Sequence, residues 1–214
     1  MIPTDMREFK PNVWERRFNP LLVKWWDAQQ ACDWDRYATS EARWKCVYEH
    51  AFAIPHHKAL WRISRWSPHG VVEIGAGTGY WSHLLRLVLR PQGKGLLCFD
   101  KHPLPENPYS FSREWFPDMV QADHTVLKNC PLTDSMTLFM CWPPYDDPKD
   151  WPAEALRMFK GRTLAYVGEG VGGCTGGEAF HQELDDHWDA KETVRLPTWG
   201  TVRDELVIYQ RRAR

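Results

Sequence analysis

The chain has 214 residues, 43% of them hydrophobic, and a formal net charge of −1. That length holds one domain with an appendage and a sizeable core. The near-zero charge excludes a global electrostatic pull toward nucleic acid or a membrane surface. The first 70 residues balance to +3 and the rest to −4, too small an asymmetry to argue for a polyanionic partner. Cysteines stand at 32, 46, 98, 130, 141 and 174 with no C-x-x-C pair, so neither a zinc ribbon nor a dithiol redox motif is expected. Free thiols, the lack of an apolar run of membrane length and the lack of a leader peptide predict a cytoplasmic protein, or a nuclear one in a host with a nucleus.

Residues 1–10 read as a loose arm, with Pro3 and Pro11 as breakers. A helix is expected over residues 20–35. Thr39 or Ser40 caps a second that runs to about Phe52, and a third spans residues 56–66. Seven of the 13 tryptophans precede position 71: Trp14, Trp25, Trp26, Trp34, Trp44, Trp61 and Trp66. Their expected work is to pin these helices to the domain, because a buried indole removes a large apolar area from water. A stacking wall or a partner-binding surface is the competing reading. Residues 1–55 are therefore taken as an arm and helical cap, and residues 56–214 as the main domain.

From Val71 onward strand and helix signals alternate. Strands are expected at residues 71–74, 95–100, 119–122, 137–142, 162–168, 191–196 and 204–210, and helices at 80–89, 151–159 and 178–188. This alternation predicts an α/β fold: a mostly parallel seven-stranded sheet with helices on both faces. The proline-rich loop over residues 101–116 is long enough to suspect a role.

The most informative segment is Val71-Val72-Glu73-Ile74-Gly75-Ala76-Gly77-Thr78-Gly79-Tyr80-Trp81. A strand breaks into three alternating glycines and an amphipathic helix follows at once. That arrangement presents backbone N–H groups and a positive helix end to a nucleoside cofactor. A dinucleotide fingerprint reads G-x-G-x-x-G, whereas Tyr80 occupies its third glycine position here, so a nicotinamide oxidoreductase is the weaker reading. E-I-G-A-G-T-G resembles motif I of the class I, Rossmann-like S-adenosylmethionine-dependent methyltransferases. The resemblance implies that Glu73, Gly75, Ala76, Gly77, Thr78 and Gly79 hold the methionine and ribose part of S-adenosylmethionine. Asp100, 21 positions after Gly79, closes the second strand, where an acid can accept hydrogen bonds from a ribose; it matches the family's ribose-binding acid. Asp123 stands where the family often bonds the adenine amino group, and a turn-forming role is an equal alternative.

Two further segments carry candidate chemistry. Cys141-Trp142-Pro143-Pro144-Tyr145-Asp146-Asp147 ends an apolar strand at the sheet's carboxyl edge, where α/β folds bind ligands. It resembles the [Asp/Asn/Ser]-Pro-Pro-[Tyr/Phe/Trp] motif of amino methyltransferases. There a backbone carbonyl is aimed at the target amine, and the aromatic residue stacks on a planar substrate. Trp142 departs from that pattern, since an indole donates but cannot accept. Either the Pro143 carbonyl serves alone, or Asp146 or Asp147 substitutes, or the nucleophile is of a different type. The glycine-rich stretch over residues 168–177, with six glycines in ten positions, is a candidate lid, and Glu169 a candidate base. The catalytic candidates are Trp142, Pro143, Pro144, Tyr145, Asp146 and Glu169. Tyr48 and His50 are within reach of the site in sequence order, although a packed aromatic stripe is the simpler reading. His50, His56 and His57 lack supporting carboxylate or cysteine spacing, so no metal is expected.

The function this predicts is methyl transfer from S-adenosylmethionine to a nitrogen, less readily an oxygen, of an unidentified planar or aromatic acceptor. The alternative is an inactive methyltransferase-like subunit that binds a partner protein through its Trp-rich N-terminus.

Overall fold

The computed structural model describes residues 4–31, 41–109, 111–200 and 202–213. Among these residues a seven-stranded sheet runs in the order β3-β2-β1-β4-β5-β7-β6. Its strands are β1 (Gly70–Ile74), β2 (Gly95–Asp100), β3 (Val120–Gln121), β4 (Thr137–Cys141), β5 (Thr163–Gly168), β6 (Trp188–Arg195) and β7 (Glu205–Arg211). Neighbouring strands from β3 to β5 pair parallel, and β7 is antiparallel to both β5 and β6.

The strand sequences explain why the sheet is covered on both faces. Along β1, β4 and β5 successive side chains alternate between two apolar clusters. Val71, Phe139, Ala165 and Val167 join one cluster, and Val72, Leu138, Met140, Leu164 and Tyr166 join the other. Helices α4 (His57–Trp66) and α5 (Tyr80–Leu89) cover the first face; α7 (Trp151–Met158) and α8 (Glu178–His187) cover the second. A short α6 spans Val126–Asn129. The expected architecture is therefore present, with β3 shortened to two residues and β6 beginning three residues earlier than expected.

The N-terminal helices are α1 (Val13–Phe18), α2 (Pro20–Gln30) and α3 (Glu41–Glu49). The expected end of α2 at Asp35, the caps Thr39 and Ser40, and Trp34 lie outside the described residues. Helix α1 was not expected. Asn12 caps it in a reciprocal box with Glu15, which satisfies two otherwise orphaned donors. Asn19 then caps α2 through Leu22 N, donates to Pro55 O at 2.8 Å and accepts from the Tyr80 hydroxyl at 2.8 Å. Leu21, Leu22, Trp25 and Trp26 pack in the same cluster as Leu84 and Phe139. Most of the described N-terminal tryptophans pack in this way, whereas Trp44 and Trp61 are exposed.

The sheet's tightest point is where β1 and β2 begin. Gly70 faces Gly95 in register and has φ +106°, and a Cβ there would lie 2.2 Å from the Gly95 carbonyl oxygen. Neither backbone can withdraw without breaking the ladder. A Gly70→Ala chain will lose about 2–4 kcal/mol of stability in chemical denaturation; a loss under 1 kcal/mol would mean that the strands can separate there.

Candidate active site

The strand order reverses between β1 and β4, and at such a switch point an α/β sheet opens a crevice at the carboxyl ends of its strands. A cleft of about 580 Å³ lies there. It takes in Gly75, Ala76, Gly77, Thr78 and Asp100 from the cofactor candidates but not Gly79, and Trp142, Pro143, Pro144, Asp146 and Asp147 from the substrate candidates.

Gly75, Gly77 and Gly79 have φ of +74°, +58° and +71°. At Gly77 a Cβ would also meet the Phe111 ring at 2.7 Å, so glycine lets the proline-rich loop close against this turn. Four of the loop's five N–H groups are spent on the protein itself. Gly75 and Ala76 donate to Phe99 O, Gly79 to Ala76 O, and Gly77 to Asp100 Oδ2 at 2.7 Å. A pyrophosphate needs such donors aimed at itself, so the loop is a poor dinucleotide cradle. The expectation of N–H groups presented to the ligand is corrected here: what faces the cleft is a glycine surface with an acid behind it.

Asp100 is buried, and its second oxygen accepts from His102 N at 2.8 Å. Burial raises its pKa, opposed by these two N–H bonds. Each oxygen keeps a further lone pair. Glu73 also lines the cleft, but its strand position faces α5, where Ser82 donates to it. Burial pushes its carboxyl up to about 8, so Glu73 is protonated at neutral pH. Asp123 lines the cleft as well, and its Oδ1 accepts from Thr125 N and from the Thr125 hydroxyl at 2.6 Å, which lowers its pKa. The turn-forming role is thus occupied.

The Pro-Pro segment departs from its expected geometry in three ways. Trp142 has φ +52°, its indole N–H donates to Asp204 Oδ1 at 2.7 Å, and its ring stacks on Phe52 at 4.9 Å. The Pro143 carbonyl accepts from Gly176 N at 2.8 Å. Both polar groups that the motif offers to an amine therefore hold other loops. Tyr145, expected to stack on substrate, is 55% exposed and lies outside the cleft lining. The flat rings that line the cleft are instead those of Phe52, Trp142 and Trp151. Asp204 has no side-chain exposure to spare: burial pushes its carboxyl up to about 7, with the indole N–H pulling the other way.

Glu169 is also corrected. Its oxygens accept from Cys174 N at 2.8 Å and Arg203 N at 3.0 Å, and it does not line the cleft. The glycine-rich stretch is fastened by this carboxylate, by the Tyr166 hydroxyl and by Gly176, and no residue of it reaches the cleft. It is a tied loop rather than a lid. A Glu169→Gln chain will lose roughly 1–3 kcal/mol of stability, because an amide nitrogen then faces a backbone N–H. The pH dependence of its activity will not move; a lost acidic limb would restore Glu169 as the base.

The N-terminal segment completes the cleft. His50 lines it, packed edge-on against Tyr80 and tilted over Trp115. Burial drops its pKa to about 4, so it is neutral. Thr78 donates to His50 O, and Trp115 donates through its backbone to Thr78 O and through its indole to Glu49 O. Tyr48 is half-exposed and outside the lining. Sequence reasoning missed Phe52, Tyr109, Phe111, Trp151 and the His124–Glu154 pair, 2.9 Å apart. Only the length of the proline-rich loop signalled Tyr109 and Phe111.

No family model matches the chain, and no curated protein matches it. Solved structures do resemble it. The N-methyltransferase NodS from Bradyrhizobium japonicum WM9, solved with S-adenosyl-L-homocysteine, is 15% identical with a TM-score of 0.53; the match covers 85% of this chain and 97% of that one. A structure described as a pericyclic reaction enzyme is 14% identical with a TM-score of 0.50, covering 80% of this chain and 52% of that one. Magnesium protoporphyrin IX methyltransferase from Synechocystis PCC 6803, solved with S-adenosylmethionine, is 14% identical with a TM-score of 0.46, covering 85% and 96%. The first of these likenesses establishes the fold: a Rossmann-like, seven-stranded α/β sheet.

Proposed function

We propose that this chain is an S-adenosylmethionine-dependent methyltransferase acting on a nitrogen, with oxygen the lesser alternative, of a planar or aromatic acceptor. The observation that carries this reading is Asp100: a buried carboxylate at the tip of β2, bonded to Gly77 N in the glycine turn and open to the cleft. The lining fits a cationic nucleoside and disfavours a pyrophosphate. Beside the protonated Glu73 it holds five further acidic side chains, Asp100, Asp123, Asp146, Asp147 and Glu154, against Lys101 and Lys149. The fold also occurs in NodS with S-adenosyl-L-homocysteine bound.

When bound, the cofactor supplies a methyl group already activated on a positively charged sulfur. The chain's own residues bind, align and exclude water. Asp100 would hold the ribose hydroxyls, and residues 75–78 of the glycine turn would line the cofactor's path beside Phe111. Trp151 and Asp123 flank the adenine. Phe52, Trp142, Pro143 and Pro144 form a wall for a flat acceptor. A nitrogen that gains a methyl group must shed a proton. With Glu169 committed elsewhere, Asp146 at the cleft mouth is the carboxylate that takes it. In this reading residues 56–214 form the catalytic domain and residues 1–55 its cap, with His50 and Phe52 reaching the cleft. Among the described residues no helix is long and apolar enough to cross a membrane; a reducing compartment suits the free thiols of Cys46 and Cys98.

The test is transfer. The chain is incubated with methyl-tritiated S-adenosylmethionine and fractionated extract, and label is followed into small-molecule, RNA and protein fractions. Label in one fraction, reduced at least tenfold by Asp146→Ala, supports the reading. Binding of the cofactor with no label in any fraction argues against catalysis.

A further inference from the structure

Away from the cleft, the fold gathers three metal-ligating side chains that the sequence keeps far apart. Glu15 on α1 meets His56 and His57 at the start of α4, 41 and 42 positions later. One ligating atom from each lies within 4.8 Å of the others. Glu15 and His56 have no side-chain exposure, and His57 retains 34%.

The capping box fixes Glu15. Its Oε2 accepts from Asn12 N at 3.0 Å, which turns Oε1 toward the histidines. Oε1 lies 2.9 Å from His57 Nδ1 and 3.4 Å from His56 Nε2. His56 is the anomaly. Its ring is fully buried against Phe9 and His57, and neither ring nitrogen has a hydrogen-bond partner. A buried polar ring that makes no hydrogen bond, with Nδ1 unpartnered and Nε2 facing only the Glu15 carboxylate at 3.4 Å, is costly. Atoms bound to zinc at about 2.0–2.2 Å in a tetrahedron are roughly 3.3–3.6 Å apart. The Glu15–His56 separation of 3.4 Å already falls there, and His57 Nδ1, 2.9 Å from the same oxygen, sits on a partly exposed side chain that can adjust.

We propose that Glu15, His56 and His57 bind one divalent ion of the zinc type, with water as fourth ligand on the exposed side of His57, and that the ion clips α1 to the start of α4. Two imidazoles and one carboxylate suit zinc rather than calcium or magnesium, which take oxygen donors.

Untagged protein, stripped with chelator and dialysed, is titrated with Zn²⁺ by calorimetry and with Co²⁺ by absorption. Native chain and Cys174→Ser, which removes an exposed thiol, will each take one ion, and Co²⁺ will give the intense visible bands of a tetrahedral site. His57→Ala, at the partly exposed ligand, will fold by circular dichroism and lose both signals. Should His57→Ala not fold, the native Co²⁺ spectrum decides alone. No uptake by native chain, octahedral-type Co²⁺ bands, or uptake unchanged in folded His57→Ala overturns the site and leaves a metal-free Glu–His pair. Cofactor affinity reads the cleft independently, so failure here leaves the methyltransferase reading standing.

Discussion

Asp100→Ala will bind S-adenosylmethionine about 10–100-fold more weakly than the native chain, the expected loss of a charged hydrogen bond, roughly 1.5–3 kcal/mol. Two effects add. The ribose hydroxyls lose their acceptor, and Gly77 N and His102 N lose theirs, so the turn itself loosens. Asp100→Asn separates them. Asparagine keeps one acceptor but sets an NH₂ against one of the two backbone donors, and it should fall between alanine and native. Titration calorimetry reads the affinity, and far-ultraviolet circular dichroism confirms the fold. Unchanged affinity in a folded Asp100→Ala chain removes Asp100 from the cofactor site.

The second large effect is at Glu73. Its carboxyl is pushed from an ordinary 4.5 up to about 8 by burial, so between those values the folded chain holds a proton that the unfolded chain has lost. Stability tied to this group is complete below pH 4.5 and declines as pH rises to about 8, because over that range the unfolded chain releases a proton that the folded chain keeps. Glu73→Gln has no proton to lose. It will match the native chain near pH 4.5 and exceed it by on the order of 3–5 kcal/mol at pH 8.5, measured as the difference in urea unfolding free energy at the two pH values. An equal difference at both would mean that Glu73 is ionised in the native chain. A cation bound in the cleft favours the ionised form. Cofactor binding by the native chain near pH 7 should therefore release protons, seen as a dependence of calorimetric heat on buffer, and Glu73→Gln should release fewer.

Much of the fold was legible because its signals are local. Strand β2 and helix α5 fall where periodicity put them, over Gly95–Asp100 and Tyr80–Leu89, each bounded by glycine or a change of period. Asn12-x-x-Glu15 is a capping box in the sequence, and its helix was overlooked behind Pro11. The site was legible only where function is carried by backbone shape: the glycine turn and the acid at the tip of β2. Roles that depend on distant partners were not. Trp142 gives its N–H to Asp204, 62 positions on, and Glu169 binds Arg203 N, 34 positions on. Nothing local to Trp142 or Glu169 announces those bonds, and they turn two supposed catalytic groups into fasteners. Glu15 and His57, brought together across 42 positions, escaped for the same reason.

The most direct test is a crystal structure of the chain grown with S-adenosyl-L-homocysteine. The predicted result is ligand density in the cleft, with the ribose hydroxyls on the Asp100 carboxylate and the chain of the amino acid running past Gly77. Density elsewhere, or a cleft that stays empty at saturating ligand, contradicts the assignment.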